Sequence, residues 1–139
     1  MKSADLQAIP LFANLSPDEQ ARVAAAARPV HFEAGHVVVN EGEFAFDFYA
    51  IRQGAVEVRR GAEHVAHLGA GDVLGDFGVV PQQGRQWTRR RGATVVVTAP
   101  TDAIVIDGGD FRRMAGEIPA LADAIHAVAA ERDARDLPS

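Results

Sequence analysis

Leu68-Gly69-Ala70-Gly71-Asp72-Val73-Leu74-Gly75-Asp76-Phe77-Gly78, followed further on by Arg91-Gly92-Ala93-Thr94-Val95, is the most informative part of this chain. A strand ends at Val73-Leu74. Gly75 can take backbone conformations that other residues avoid. Asp76 then suits the first turn of a short helix, and free N–H groups at such a turn make an anion site. The planar fork of Arg91 can hold phosphate oxygens bidentately. A carboxylate beside it accepts hydrogen bonds, including those of a sugar hydroxyl. The local chemistry suits a small, singly charged phosphate on a ribose. Taken one at a time, the same residues also read as a turn glycine, a solvated Asp and a surface Arg.

On either side of this stretch the pattern is that of short strands. From Pro29 to about Asp107, apolar runs alternate with Gly-bearing turns at Gly35, Gly42, Gly54, Gly61, Gly69 to Gly71 and Pro81 to Gly84. The runs are Val37 to Val39, Phe46 to Ile51, Val56 to Val58, Val65 to Leu68, Thr94 to Thr98 and Ala103 to Ile106. Strands at this spacing predict a sandwich or barrel of about eight strands. Phe44, Phe46 and Phe48 alternate, so they share one face, expected to be core. Helices flank the strands. Ser16-Pro17-Asp18-Glu19 is a capping box with Pro at the first helical position. The helix it opens runs to Ala27, and Pro29 is expected to stop it. Phe111 to Gly116 predicts a short helix. Pro119 opens a longer one with Leu121, Ile125 and Val128 as its apolar stripe.

Composition narrows the function. The chain has 139 residues, 47% apolar and 24% charged, which predicts one globular domain. Net charge is −5, which excludes a bulk nucleic-acid binder. The local exception is Arg85, Arg89, Arg90 and Arg91 around Trp87, read as a solvated loop tip or a contact for a base or an acidic partner. There is no Cys, so neither a disulfide framework nor a thiolate metal site can form. No apolar run approaches a membrane span. No export signal opens the chain, which points to the cytoplasm, or to the cytoplasmic face of a membrane protein if this is a fragment. A cupin-type metal enzyme is a further reading of a His-bearing β-roll. It needs a His-x-His pair, and none is present. His64 and His67, three apart, should face opposite sides of a strand. No metal site is expected.

In its entirety the order of motifs resembles the cyclic nucleotide-binding domain family. Ile9-Pro10-Leu11-Phe12 and Leu15 to Glu19 are similar to the family's opening helix. Phe32 with Ala34-Gly35, Glu41-Gly42, Tyr49-Ala50-Ile51 and Gly54 to Val58 are similar to its strands. Leu68 to Asp76 leads into its phosphate-binding cassette, here residues 75–95. Arg91-Gly92-Ala93-Thr94-Val95 resembles the cassette's closing motif. The resemblance implies a mainly β fold: an antiparallel β-roll, a jelly-roll-like barrel over 29–107. An N-terminal helical segment (1–28) and C-terminal lid helices (110–136) flank it.

The resemblance also implies a non-catalytic sensor that takes cAMP in preference to cGMP and needs no cofactor. Gly75, Phe77 and Gly78 would offer backbone N–H groups to the cyclic phosphate. Asp76 would receive the ribose hydroxyl, Arg91 would pair with the phosphate, and Gly92 and Ala93 would close around it. Asp76 stands where the family has Glu, one methylene longer. Gly92 lacks the hydroxyl that helps to select guanine in parts of the family. Phe77 to Arg90 is longer than the family pattern. These departures keep open an alternative: a degenerate cyclic nucleotide fold that serves protein interaction or assembly. The implied partners are the nucleotide and either a second copy met through the C-terminal helix or an effector domain or protein. Only four residues follow Arg135 and none forms a helix-turn-helix, so direct DNA binding is not expected.

Overall fold

The computed structural model describes residues 3–40, 47–74 and 93–134. Three helices come first: α1 (Ser3–Leu6), α2 (Pro10–Ala13) and α3 (Pro17–Ala26). The capping box is formed. The Ser16 hydroxyl accepts from the Glu19 N–H at 3.2 Å, and the Glu19 carboxylate accepts from the Ser16 N–H at 2.9 Å. Two of the orphan donors of the first turn are thereby satisfied. Pro29 does not stop the helix. α3 ends at Ala26, and Pro29 lies inside strand β1 (Ala27–Phe32). Among the described residues β1 is the end strand of the sheet path, where one side has no ladder to lose and a proline is tolerated.

Five further strands are described: β2 (Val37–Val39), β3 (Phe48–Arg60), β4 (Glu63–Gly69), β5 (Val73–Leu74) and β6 (Thr94–Ile106). All pair antiparallel in the order β1-β6-β3-β4, with β2 on β6 and β5 on β3. The fold is thus an antiparallel β-roll with flanking helices. Two expected breaks are absent. The runs on either side of Gly54 form one 13-residue strand, and so do the runs on either side of Pro100. Gly54 bends β3 rather than reversing it. Its φ is +119°, and the register against β6 shifts three times between Ile51 and Val56. Opposite it, Thr101 is buried; its hydroxyl donates to the Ala99 carbonyl at 2.8 Å and accepts from the Ala55 N–H at 3.2 Å.

The bend separates two regimes of burial. Beyond it, β6 alternates from Thr94 to Asp102, with Val95 and Val97 inward. Before it, Ala103 to Ile106 are buried without a break, as in a strand covered on both faces. Two cores result. Phe48, Ala50, Val73, Ile104 and Ile106 pack against the helices. Ile51, Val56, Val58, Leu74, Val95 and Val97 fill the interior of the roll with Val39, Leu68 and Ala93. Phe48 lies between the helical ends of the chain. Its ring meets Phe12 of α2 edge-on at 5.9 Å and Phe111 of the C-terminal helices at 4.1 Å. Phe44 and Phe46 lie outside the described residues.

β6 leads into α4 (Gly108–Glu117) and α5 (Pro119–Ala134). α4 begins before the expected Phe111 because the Asp107 carboxylate accepts from the N–H groups of Gly109 and Asp110 at 2.9 and 3.2 Å. On α5, Leu121 and Ile125 are buried and Val128 is packed beside them, as the stripe predicts. Among the described residues no helix is long and apolar enough to cross a membrane.

Two substitutions test this arrangement. A Cβ at Gly54 would lie 2.6 Å from the Thr101 Cα and 2.7 Å from the Pro100 carbonyl oxygen. Gly54→Ala should cost at least about 2 kcal/mol in urea unfolding. Phe48→Ala empties the junction of sheet and helices and should cost about 3–5 kcal/mol. A loss under 1 kcal/mol, on the order of a surface substitution, would contradict either reading.

Candidate functional site

The segment singled out in the sequence is flanked by β5 and β6. β5 pairs with Tyr49 and Ala50 at the start of β3; Thr94 of β6 pairs with Arg59 at its far end. The turn that aims β5 is tightly made. Gly71, at φ +92°, donates to the Ile51 carbonyl at 2.8 Å, and the Ile51 N–H donates to the Asp72 carbonyl at 2.9 Å. The Asp72 carboxylate accepts from the Gly69 N–H at 2.8 Å, closing the turn on itself. A Cβ on Gly71 would touch the Pro10 ring at 3.4 Å, so the turn also seats the N-terminal helices. Asp72 therefore holds the frame of the turn.

Both flanks of the segment are anchored in one apolar cluster. Leu74, its last residue before Gly75, and Ala93, the first after Gly92, are buried in the apolar cluster inside the roll. Val95 and Val97 continue that cluster on β6, facing Val56 and Val58 on β3. Of the predicted site residues, Ala93 is thus placed: its methyl packs into the roll. Gly75, Asp76, Phe77, Gly78, Arg91 and Gly92 lie outside the described residues, as do Trp87 and its neighbouring arginines.

An open pocket of about 280 Å³ is lined by Asp5, Ala8, Arg52, Gln53 and Asp102. Two carboxylates share it with one guanidinium, which Asp5 already engages at 3.3 Å.

Two polar clusters were not legible in the sequence. The first joins β1 to β6. His31 and Asp102 are register partners, with Nδ1 2.9 Å from the carboxylate, and Glu33 lies 3.1 Å from Nε2. These hydrogen bonds, Asp102's first, raise the His31 pKa above the ordinary imidazole value. The second joins β3 to β4. Glu57 accepts from Arg59 and lies 2.8 Å from His64 Nδ1. The Arg59 guanidinium, then the His64 ring, hold the Glu57 carboxyl below its usual value. His64 and His67, expected on opposite faces, share one: their ring centroids are 4.5 Å apart. A register shift between Val58 and Arg59 explains it. Ala66 pairs with Val58 and His64 with Arg59, so Val65 is an extra residue. A bulge of this kind re-aims a side chain, and periodicity alone does not reveal it.

Residues 29–117 match the family model of the cyclic nucleotide-binding domain. The cAMP-dependent protein kinase regulatory subunit of Eremothecium gossypii is 32% identical over 114 residues, 81% of this chain and 24% of that protein. The chain thus spans about a quarter of that relative's length. The solved structure of cAMP-bound PfPKA-R (141–441) superposes with a TM-score of 0.81 at 18% identity, covering 97% of this chain and 45% of that one. The regulatory subunit of a cAMP-independent protein kinase A from Trypanosoma brucei gives 0.77 at 23% identity, covering 91% and 45%.

The His31 pair carries a pH prediction. A group whose folded pKa is raised contributes stability that is fully present below its unfolded value and is lost as pH rises through the folded value. Amide protection along β1 and β6 should fall as pH rises through the His31 titration. Asp102→Asn should lower that titration point in an NMR pH series. A His31 that titrates like a free imidazole would contradict the pairing.

Proposed function

The chain belongs to the cyclic nucleotide-binding domain family, and we propose that it is a non-catalytic regulatory module that binds cAMP in preference to cGMP. The observation that carries this reading is the double anchorage of the segment between Leu74 and Ala93 in the interior of the roll. That segment carries Gly75-Asp76-Phe77-Gly78 at one end and Arg91-Gly92-Ala93 at the other. Backbone N–H groups of Gly75, Phe77 and Gly78 meet the cyclic phosphate, Arg91 pairs with its charge, and Gly92 and Ala93 close around the same oxygens. Asp76 receives the ribose hydroxyl. The absence of a hydroxyl at Gly92 favours adenine over guanine. One relative is a cAMP-dependent regulatory subunit and one structural neighbour is cAMP-bound, which supports the ligand class.

Binding would act by population shift, the nucleotide favouring whichever state of the roll and its C-terminal helices holds it more tightly. Phe48 gives such a shift a route, because it touches Phe111 while its neighbour Tyr49 pairs with Leu74. A degenerate roll that assembles with protein instead is the second reading. The shortened Asp76 favours it, and the fold is also that of a subunit described as cAMP-independent.

Arg91→Ala should abolish binding of a fluorescent cAMP followed by anisotropy. Asp76→Glu should tighten it roughly ten- to hundredfold, the worth of a restored charged hydrogen bond of about 1.5–3 kcal/mol. Unchanged affinity in Arg91→Ala would refute the site. A nucleotide affinity too weak to detect in both the wild type and Asp76→Glu would overturn the first reading and favour the second.

A further inference from the structure

We infer that Glu57, His64 and His67 form a binding site for a divalent first-row transition metal on the outer face of the β3–β4 ribbon. Glu57 and His67 are direct register partners on β3 and β4. The bulge at Val65 turns His64 onto the same face, one pair further along, opposite Arg59. One ligand atom from each of the three residues lies within 4.8 Å of the others. Ligands bonded to a common zinc at about 2.1 Å stand roughly 3.4 Å apart in a tetrahedron. A small rotamer change closes the difference, and exposed rings are free to make it: the His64 side chain is 46% exposed. The Glu57 side chain, at 15%, is the sheltered member that fixes the centre of the site.

The donor set selects the metal. Two imidazoles and a carboxylate suit zinc, cobalt, nickel or copper. Magnesium and calcium prefer oxygen throughout. Three protein ligands on a solvent-facing surface leave the remaining positions to water. Two contacts compete with the ion. Arg59 holds one oxygen of Glu57, and His64 Nδ1 lies within hydrogen-bond distance of the other. The Arg59 charge opposes the cation, and its side chain is half exposed and can swing away. A bound ion would bridge adjacent strands and stabilise the folded state, which alone holds the three ligands together. His64 and His67 lie on β4, across β3 from β6.

Calorimetric titration of the tag-free chain with zinc chloride at pH 7.5 tests the site. One saturable equivalent is expected, with a rise in melting temperature. His64→Ala and His67→Ala should each weaken binding at least about a hundredfold, beyond the roughly 10–100-fold that loss of an outer-shell contact typically costs. Arg59→Ala should tighten it, and His126→Ala on α5 should leave it unchanged. His64→Gln and His67→Gln, which keep most of the side-chain volume, repeat the test if an Ala variant unfolds. Absence of saturable binding up to millimolar zinc would overturn the site. So would binding that survives loss of both His64 and His67, which would assign the ion to other residues.

Discussion

The bend at Gly54 against Thr101 is the constraint on which the rest of this molecule depends. β3 and β6 are long enough that, kept straight, they would present one continuous ribbon. The positive φ of Gly54 and the hydroxyl of Thr101, which stitches Ala55 to Ala99, turn them together. On one side of the bend both faces of the ribbon are covered, one by helices and one by the roll. On the other side the inward residues, such as Val56, Val58, Val95 and Val97, are buried and their neighbours are more exposed. A glycine is required here because the backbone of Pro100 and Thr101 occupies the space that a side chain needs.

Two cores follow from that bend, and they divide the work. The helical core gathers Phe12, Phe48 and Phe111, so the helices at either end of the chain rest on one residue of the sheet. The inner core holds Leu74 and Ala93, the two points between which the proposed cassette is strung. β3 touches both, through Phe48 and Ala50 on one face and Ile51, Val56 and Val58 on the other. A ligand that drew on the cassette would therefore pull on a strand that also carries the helices. This is the physical content of a regulatory reading, and it needs no long-range path beyond one strand's two faces.

Much of the fold was legible in local chemistry. The Ser16 capping box, Pro119 at the start of α5 and the stripe of Leu121, Ile125 and Val128 each lie within a few residues of one another. Features set by distant residues were not. Gly54 has the look of a hairpin turn until Thr101 is known to stand against it. Pro29 has the look of a helix stop until β1 is known to lie at the end of the sheet path. Simple alternation puts His64 and His67 on opposite faces because it assumes an unbroken ladder, and the extra residue Val65 is defined only by its partner strand. The site divides in the same way. Its motif was carried by residues 75–78 and 91–93. What the fold adds is the frame, in which the Asp72 turn aims β5 and both flanks are sunk in one apolar cluster.

The central claim is that a cyclic phosphate binds between the end of β5 and the start of β6. A 15N-labelled chain titrated with cAMP at near-physiological salt tests it most directly. The account predicts saturable shifts concentrated in the amides of 73–78 and 91–95, with smaller ones reaching Tyr49 and Phe111. The β4 amides around His64 should stay still. Unchanged spectra at millimolar cAMP, or shifts confined to surfaces away from these two strand ends, would contradict it.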